Sequence, residues 1–247
     1  MTTYPHLLNA PIEEAVIAFS VNLPKDFQVK DLLSIKDSIK EQYPHEKEIK
    51  TAGYKLELKN NAFIPPQLLD EGLIGYLFKS TDEKEVVQLR LDGLTFSRLK
   101  PYTNWDDILK KAKNLYDIYI SKIKPNSVNR IAVRYINHIK IPKSEFSFSD
   151  YIKTPPTVPA GLPQKISNYF SRMVINLEQD IVANFIQAHE VDKKDNLPII
   201  ILDIDVFKTK DFETDSSEIW STLERFREIK NKIFFNTITN KTQELFL

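Results

Sequence analysis

Asp203 and Asp205, two acidic residues in the run Ile201-Leu202-Asp203-Ile204-Asp205-Val206-Phe207, are the first candidates for chemistry. As a strand, this run turns both carboxylates to one face about 7 Å apart and sends Leu202, Ile204 and Val206 to the other. Such a pair could hold a divalent cation between oxygen ligands and so serve metal-assisted phosphoryl transfer or hydrolysis. The same spacing also suits two acids that pair with bases on neighbouring strands or face water.

A second constellation lies in Arg130-Ile131-Ala132-Val133-Arg134-Tyr135-Ile136-Asn137-His138-Ile139. Alternation places Arg130, Arg134 and His138 on one face and Ile131, Val133, Tyr135, Asn137 and Ile139 on the other. The chain has seven arginines against 27 lysines, and five of the seven (Arg90, Arg98, Arg130, Arg134 and Arg172) fall in predicted strands. Arginine is preferred where a planar, two-pronged donor must meet a carboxylate or a phosphate. Two expectations follow: cross-strand pairing of Arg130 and Arg134 with Asp203, Asp205 or Glu178, or a groove for an anion or nucleotide.

Other chemistries are missing from the sequence. His6, His45, His138 and His189 share no metal-ligand spacing, and there is no nucleophile elbow or His-Glu-x-x-His helix. Five glycines in the whole chain leave little room for a phosphate loop, and with no cysteine there is no disulfide, thiolate nucleophile or Cys-based zinc site. Tyr102, Trp105, Phe234 and Phe235 are expected as packing residues rather than a base-stacking platform.

The elements that must position these residues can be read from periodicity. Residues 12–23 form a β-rich run closed by Pro24, and Leu32, Ile35, Ile39 and Tyr43 recur at helical spacing up to Pro44. Four short strands follow, in 51–58, 72–80, 85–93 and 94–100, and read as an antiparallel meander. Asn104 offers an N-cap for a helix from Trp105, with Asp106 and Asp107 in its first turn. After Pro125 the order returns: a strand at 128–141, a short segment at 149–153, strands at 166–178, 181–191 and 197–207, and a last helix with a capping-box spacing at Asp215 and Glu218.

The segment from Ala15 overlays that from Ala132 at an offset of about 117 residues, and the helix at Trp105 overlays that at Trp220 at about 115. Such correspondence suggests an internal duplication with halves at about 12–124 and 128–240 inside one domain spanning 1–247. The expected fold is α+β: a broad curved antiparallel sheet with two long helices on one face, akin to helix-grip or TATA-binding-protein-like saddles. Strands lacking intervening helices argue against a parallel βαβ arrangement.

Lysine plus arginine and aspartate plus glutamate both number 34, so no overall field favours nucleic acid or an anionic membrane. Apolar residues make up 42% and charged residues 28%, which are globular values. Neither a signal peptide nor an apolar stretch long enough to span a bilayer is recognised, and a cytoplasmic location is expected.

The motifs Pro11-Ile12-Glu13-Glu14, Arg134-Tyr135-Ile136-Asn137, Asp203-Ile204-Asp205 and Lys230-Asn231-Lys232-Ile233-Phe234 occur in this order. As a set they resemble a sporadically distributed family of functionally uncharacterised bacterial proteins, over nearly the whole chain. The resemblance implies no established activity, but a patchy distribution implies mobile or defence-associated genes and an accessory or regulatory role. The leading expectation is therefore a non-enzymatic binding module: an accessory, antitoxin-like or sensor subunit that meets a partner protein or its own copy, without a cofactor. The alternative is a nucleotide- or nucleic-acid-binding protein, with a metal-dependent phosphoryl-transfer or hydrolytic activity. There Arg130 and Arg134 would hold phosphate, and Asp203 and Asp205 a divalent cation.

Overall fold

In the computed structural model, residues 4–5, 7–55, 58–59, 62–63 and 67–247 are described; His6 and part of the strand expected at 51–58 lie outside them. The chain is α+β. Nine strands make one open antiparallel sheet in the order β2-β5-β6-β7-β1-β8-β11-β10-β9. Their ranges are β1 Ile12–Asn22, β2 His45–Lys55, β5 Gln67–Lys79, β6 Glu85–Arg90, β7 Gly93–Leu99, β8 Ser127–Lys140, β9 Tyr169–Asn176, β10 Ile181–Val191 and β11 Pro198–Phe212. A separate pair joins β3 Leu58–Lys59 to β4 Ala62–Phe63. The helices are α1 Lys36–Ile39, α2 Trp105–Ile123, α3 Glu218–Thr237 and α4 Asn240–Glu244.

Strand alternation decides which face is covered. Ile17 and Phe19 of β1, Val133 and Tyr135 of β8, and Leu202 and Ile204 of β11 are almost fully buried. The Phe19 ring meets Tyr116 of α2 (ring centroids 4.7 Å apart) and Trp220 of α3 (5.9 Å), so both long helices lie on this one face. Each helix presents a buried stripe at 3–4-residue spacing: Trp105, Ile108, Ala112, Leu115, Tyr119 and Ile123 in α2, and Ile219, Leu223, Phe226, Lys230 and Phe234 in α3, apolar but for Lys230. Among the described residues the opposite sheet face carries no helix.

Capping explains where α2 begins and ends. The Asn104 side chain accepts from the Asp107 N–H (2.9 Å), and Lys124 stops the helix in the left-handed conformation (φ 49°) one residue before Pro125. The tryptophans lock the helices to each other. The Trp105 indole N–H donates to Glu224 of α3 (2.8 Å) and lies under Arg227, while Trp220 lies under Lys113 of α2.

Several expectations need correction. The helix expected over 31–43 is a 3₁₀ segment, Val29–Ile35, followed by one α-turn, Lys36–Ile39. Leu32 and Ile35, three apart, suit the three-residue turn, and both are buried. Asp215 and Glu218 form no capping box, because α3 starts at Glu218 and its carboxylate is drawn to Lys210 (2.7 Å). The short segment expected at 149–153 is a 3₁₀ turn at Phe148–Asp150, after which Ile152 bridges Ile238.

The overlay of the halves also changes. From Ala15 to Val21 in β1 and from Ile131 to Ile139 in β8 the odd-numbered residues are the buried ones, Ala132 being the one even-numbered residue buried among them. An odd offset of about 117 would therefore set a buried face on an open one, and only an even offset preserves the pleat. Trp220 is half buried where Trp105 is 3% exposed, so the two indoles are not equivalent core anchors.

Candidate interaction face

Register brings the sequence-derived residues to the middle of the helix-free face. Directly opposed residues share a face, and Arg134 opposes Val16 of β1 on one side and Asp205 of β11 on the other. Asp205 in turn opposes Asn184 of β10, which opposes Val174 of β9. The long, regular pairing of β8 with β11 makes this row possible, since an alternating Ile/Val-rich core face on both strands pins the register.

The ion pairs run diagonally across that register. Arg134 grips Asp203 with two bonds, Nε to Oδ1 at 2.8 Å and Nη2 to Oδ2 at 2.6 Å. Arg130 reaches Asp205 (Nη2 to Oδ2, 3.1 Å) and stacks its guanidinium over Phe207, 4.3 Å from the ring centroid. The expected cross-strand pairing is present. Glu178 lies instead in the 3₁₀ turn between β9 and β10.

Burial is unequal within the pairs. The Asp203 and Asp205 side chains are 10% and 19% exposed, whereas those of Arg134 and Arg130 are 46% and 29% exposed. The carboxylates are sunk into the sheet and the guanidinia lie over them. Burial pushes the Asp205 carboxyl above its usual range, against the pull of Arg130 and the Asn184 amide. The Asp203 hydrogen bonds hold Arg134 all the more firmly charged. His138 shares the face, opposite Ile201.

This arrangement is poorly suited to a cation. Both oxygens of Asp203 are already engaged by Arg134, and a metal would have to displace the guanidinium. Among the described residues no group of three or more His, Asp or Glu side chains converges as a metal site. Around the charged centre lie half-buried apolar side chains: Val16, Ile136, Val182, Ile186, Ile201 and Phe207.

One polar cluster escaped the sequence reading. On the helix-covered face Glu85 is buried and accepts from Arg98 (3.2 Å), from Lys111 of α2 and from the Tyr43 hydroxyl (3.1 Å). Burial, reinforced by the Glu85 charge, pushes the Tyr43 phenol well up. The cluster lines a cleft of about 720 Å³ beside Lys110 and Asn114. Alternation does carry the signal, since Glu85 aligns with Val87 and Leu89, and Arg98 with Leu94 and Phe96, all on the core side.

No helix among the described residues is long and apolar enough to cross a membrane. Comparison of the chain with protein-family models and with curated proteins gives no match.

Proposed function

We propose that this chain is a non-enzymatic binding module, an accessory, antitoxin-like or sensor subunit that meets a partner protein or its own copy. The observation that carries this reading is the two-pronged grip of Arg134 on Asp203. Groups that satisfy each other within the chain are not poised for a substrate or a metal, whereas a broad, half-apolar sheet face is suited to a macromolecular surface. The placement in a mobile or defence-associated system rests on the family resemblance alone. Balanced net charge also favours protein over polyanion.

Calorimetric titration with magnesium, manganese, ATP and a short oligonucleotide tests the reading against its phosphoryl-transfer alternative. No saturable binding is expected. In parallel, Arg134→Ala and Asp203→Ala should each cost about 1–2 kcal/mol in urea denaturation, with a coupling energy of about 1 kcal/mol in the double variant. Tight cation binding that Asp203→Asn or Asp205→Asn abolishes, in a protein whose stability those changes leave intact, would sink the proposal.

A further inference from the structure

The sheet ends in two edges of opposite character. At one end β2 reads His45-Glu46-Lys47-Glu48-Ile49-Lys50 and is exposed at each of these positions except Ile49. Glu46 pairs with Lys36 (2.7 Å) and Glu48 with Lys50 (3.4 Å). The register of β2 breaks between Ile49 and Lys50, and again between Thr51 and Gly53. Dense charge and bulges are how a sheet edge is kept from pairing with another chain.

β9, at the other end, has neither safeguard. Its register with β10 is unbroken over eight residue pairs. Its one charged residue, Arg172, turns along the sheet to the Asn184 amide oxygen (3.2 Å). Phe170, Val174 and Met173 are 66%, 58% and 40% exposed, a concentration of large apolar side chains on one short strand. The Leu177 N–H donates to the Ile181 carbonyl (2.8 Å), and antiparallel alternation counted back from that pair commits the odd-numbered residues of β9 to β10. The N–H and C=O groups of Phe170, Arg172, Val174 and Asn176 therefore point to the open edge.

We propose that β9 pairs with β9 of a second copy of this chain, antiparallel about a two-fold axis at Met173, to give one sheet continuous across a dimer. This deepens the binding-module reading, on which it rests, by naming the partner. A row of alternating donors and acceptors is complemented by an extended strand. A two-fold axis consumes both β9 edges at once and leaves the guarded β2 edges at the two ends of the continuous sheet, so association through this sheet closes at two instead of growing into a filament. The axis at Met173 sets Arg172 against Val174 of the partner subunit. An axis at Arg172 would bring two guanidinia face to face, which is unfavourable.

Sedimentation equilibrium over a wide concentration range tests this on the full chain. Val174→Pro removes an N–H that β10 does not use, and proline is tolerated where the N–H faces away from the ladder. Val174→Lys installs the charge that guards the opposite edge. Wild type should dimerise reversibly, and both variants should weaken the dimer roughly tenfold or more, a difference of about 1.4 kcal/mol. Each variant should melt at the midpoint of monomeric wild type; should the proline form fail to fold, the lysine form carries the test. A wild type that stays monomeric, or a dimer indifferent to both changes, overturns the second-copy pairing. A monomer would leave an extended segment of another protein as the occupant of the edge. The cation and nucleotide titrations decide the binding-module reading separately.

Discussion

Lys230 is the residue that sits most at odds with its surroundings. It falls in the apolar stripe of α3, is 8% exposed, and holds its ammonium 3.7 Å from the centroid of the Tyr135 ring. Burial, with Arg227 nearby, lowers its pKa from 10.5 to about 7, although the ring face favours the charged form. In the window between those values the unfolded chain binds a proton that the folded chain does not, so stability falls as pH drops from about 10.5 towards 7 and then levels off. Lys230→Met keeps the packing and removes the titration. Urea denaturation should find the variant more stable by about 3–5 kcal/mol at pH 7, with the advantage shrinking to about 1 kcal/mol or less by pH 10. An equal difference at both pH values would show that the ammonium is not desolvated as its position implies. The sequence hid this residue, since a lysine at a helical apolar position is ordinarily taken to reach solvent. Its neighbourhood with Tyr135 depends on how α3 crosses β8. Arg134 and Asp203 were legible as pairing candidates because alternation is local, but the diagonal choice of Asp203 over the directly opposed Asp205 is set by the β8–β11 register.

At the level of elements, α2 was the most readable. Asn104, Asp106 and Asp107 mark its start and Pro125 its end, and all four act within a single turn of the residues that they govern. The 3₁₀ segment before α1 was not readable as such, because apolar residues at 32, 35 and 39 fit either helix until their packing against the sheet chooses. The C-terminus of α2 has a flaw that can be repaired. Lys124 adopts φ 49° and ψ 57°, a conformation that costs a side-chain-bearing residue about 1–2 kcal/mol and glycine little. Lys124→Gly should therefore raise stability by about 0.5–1 kcal/mol, after the added freedom of the unfolded chain is deducted, seen as a rise in the urea midpoint at unchanged slope. A lower midpoint would mean that the Lys124 side chain contributes more than its backbone strain removes.

For the whole molecule, strand order outward from the centre runs β1-β7-β6-β5-β2 on one side and β8-β11-β10-β9 on the other, with α2 following β7 and α3 following β11. This mirrored order favours the duplication that the sequence suggested, which we hold as a proposal. Because β1 and β8 pair along nearly their whole length and both long helices meet over Phe19, the halves should unfold together. Tryptophan fluorescence of Trp105→Phe and Trp220→Phe variants, each reporting one helix, should give urea midpoints that coincide with circular dichroism of the same variant. Separated midpoints would divide the chain into two cooperative units. The central place of β1 also matters during synthesis. Its ladder partners are residues 93–99 and 127–137, the second more than a hundred positions downstream. At roughly 5–20 residues per second, the ribosome needs about 5–25 s to make the β8 partner after β1 is made. Through that interval the nascent segment Ala15-Val16-Ile17-Ala18-Phe19-Ser20-Val21 has one flank that nothing yet made can cover, which makes it the natural place for a holding chaperone to bind.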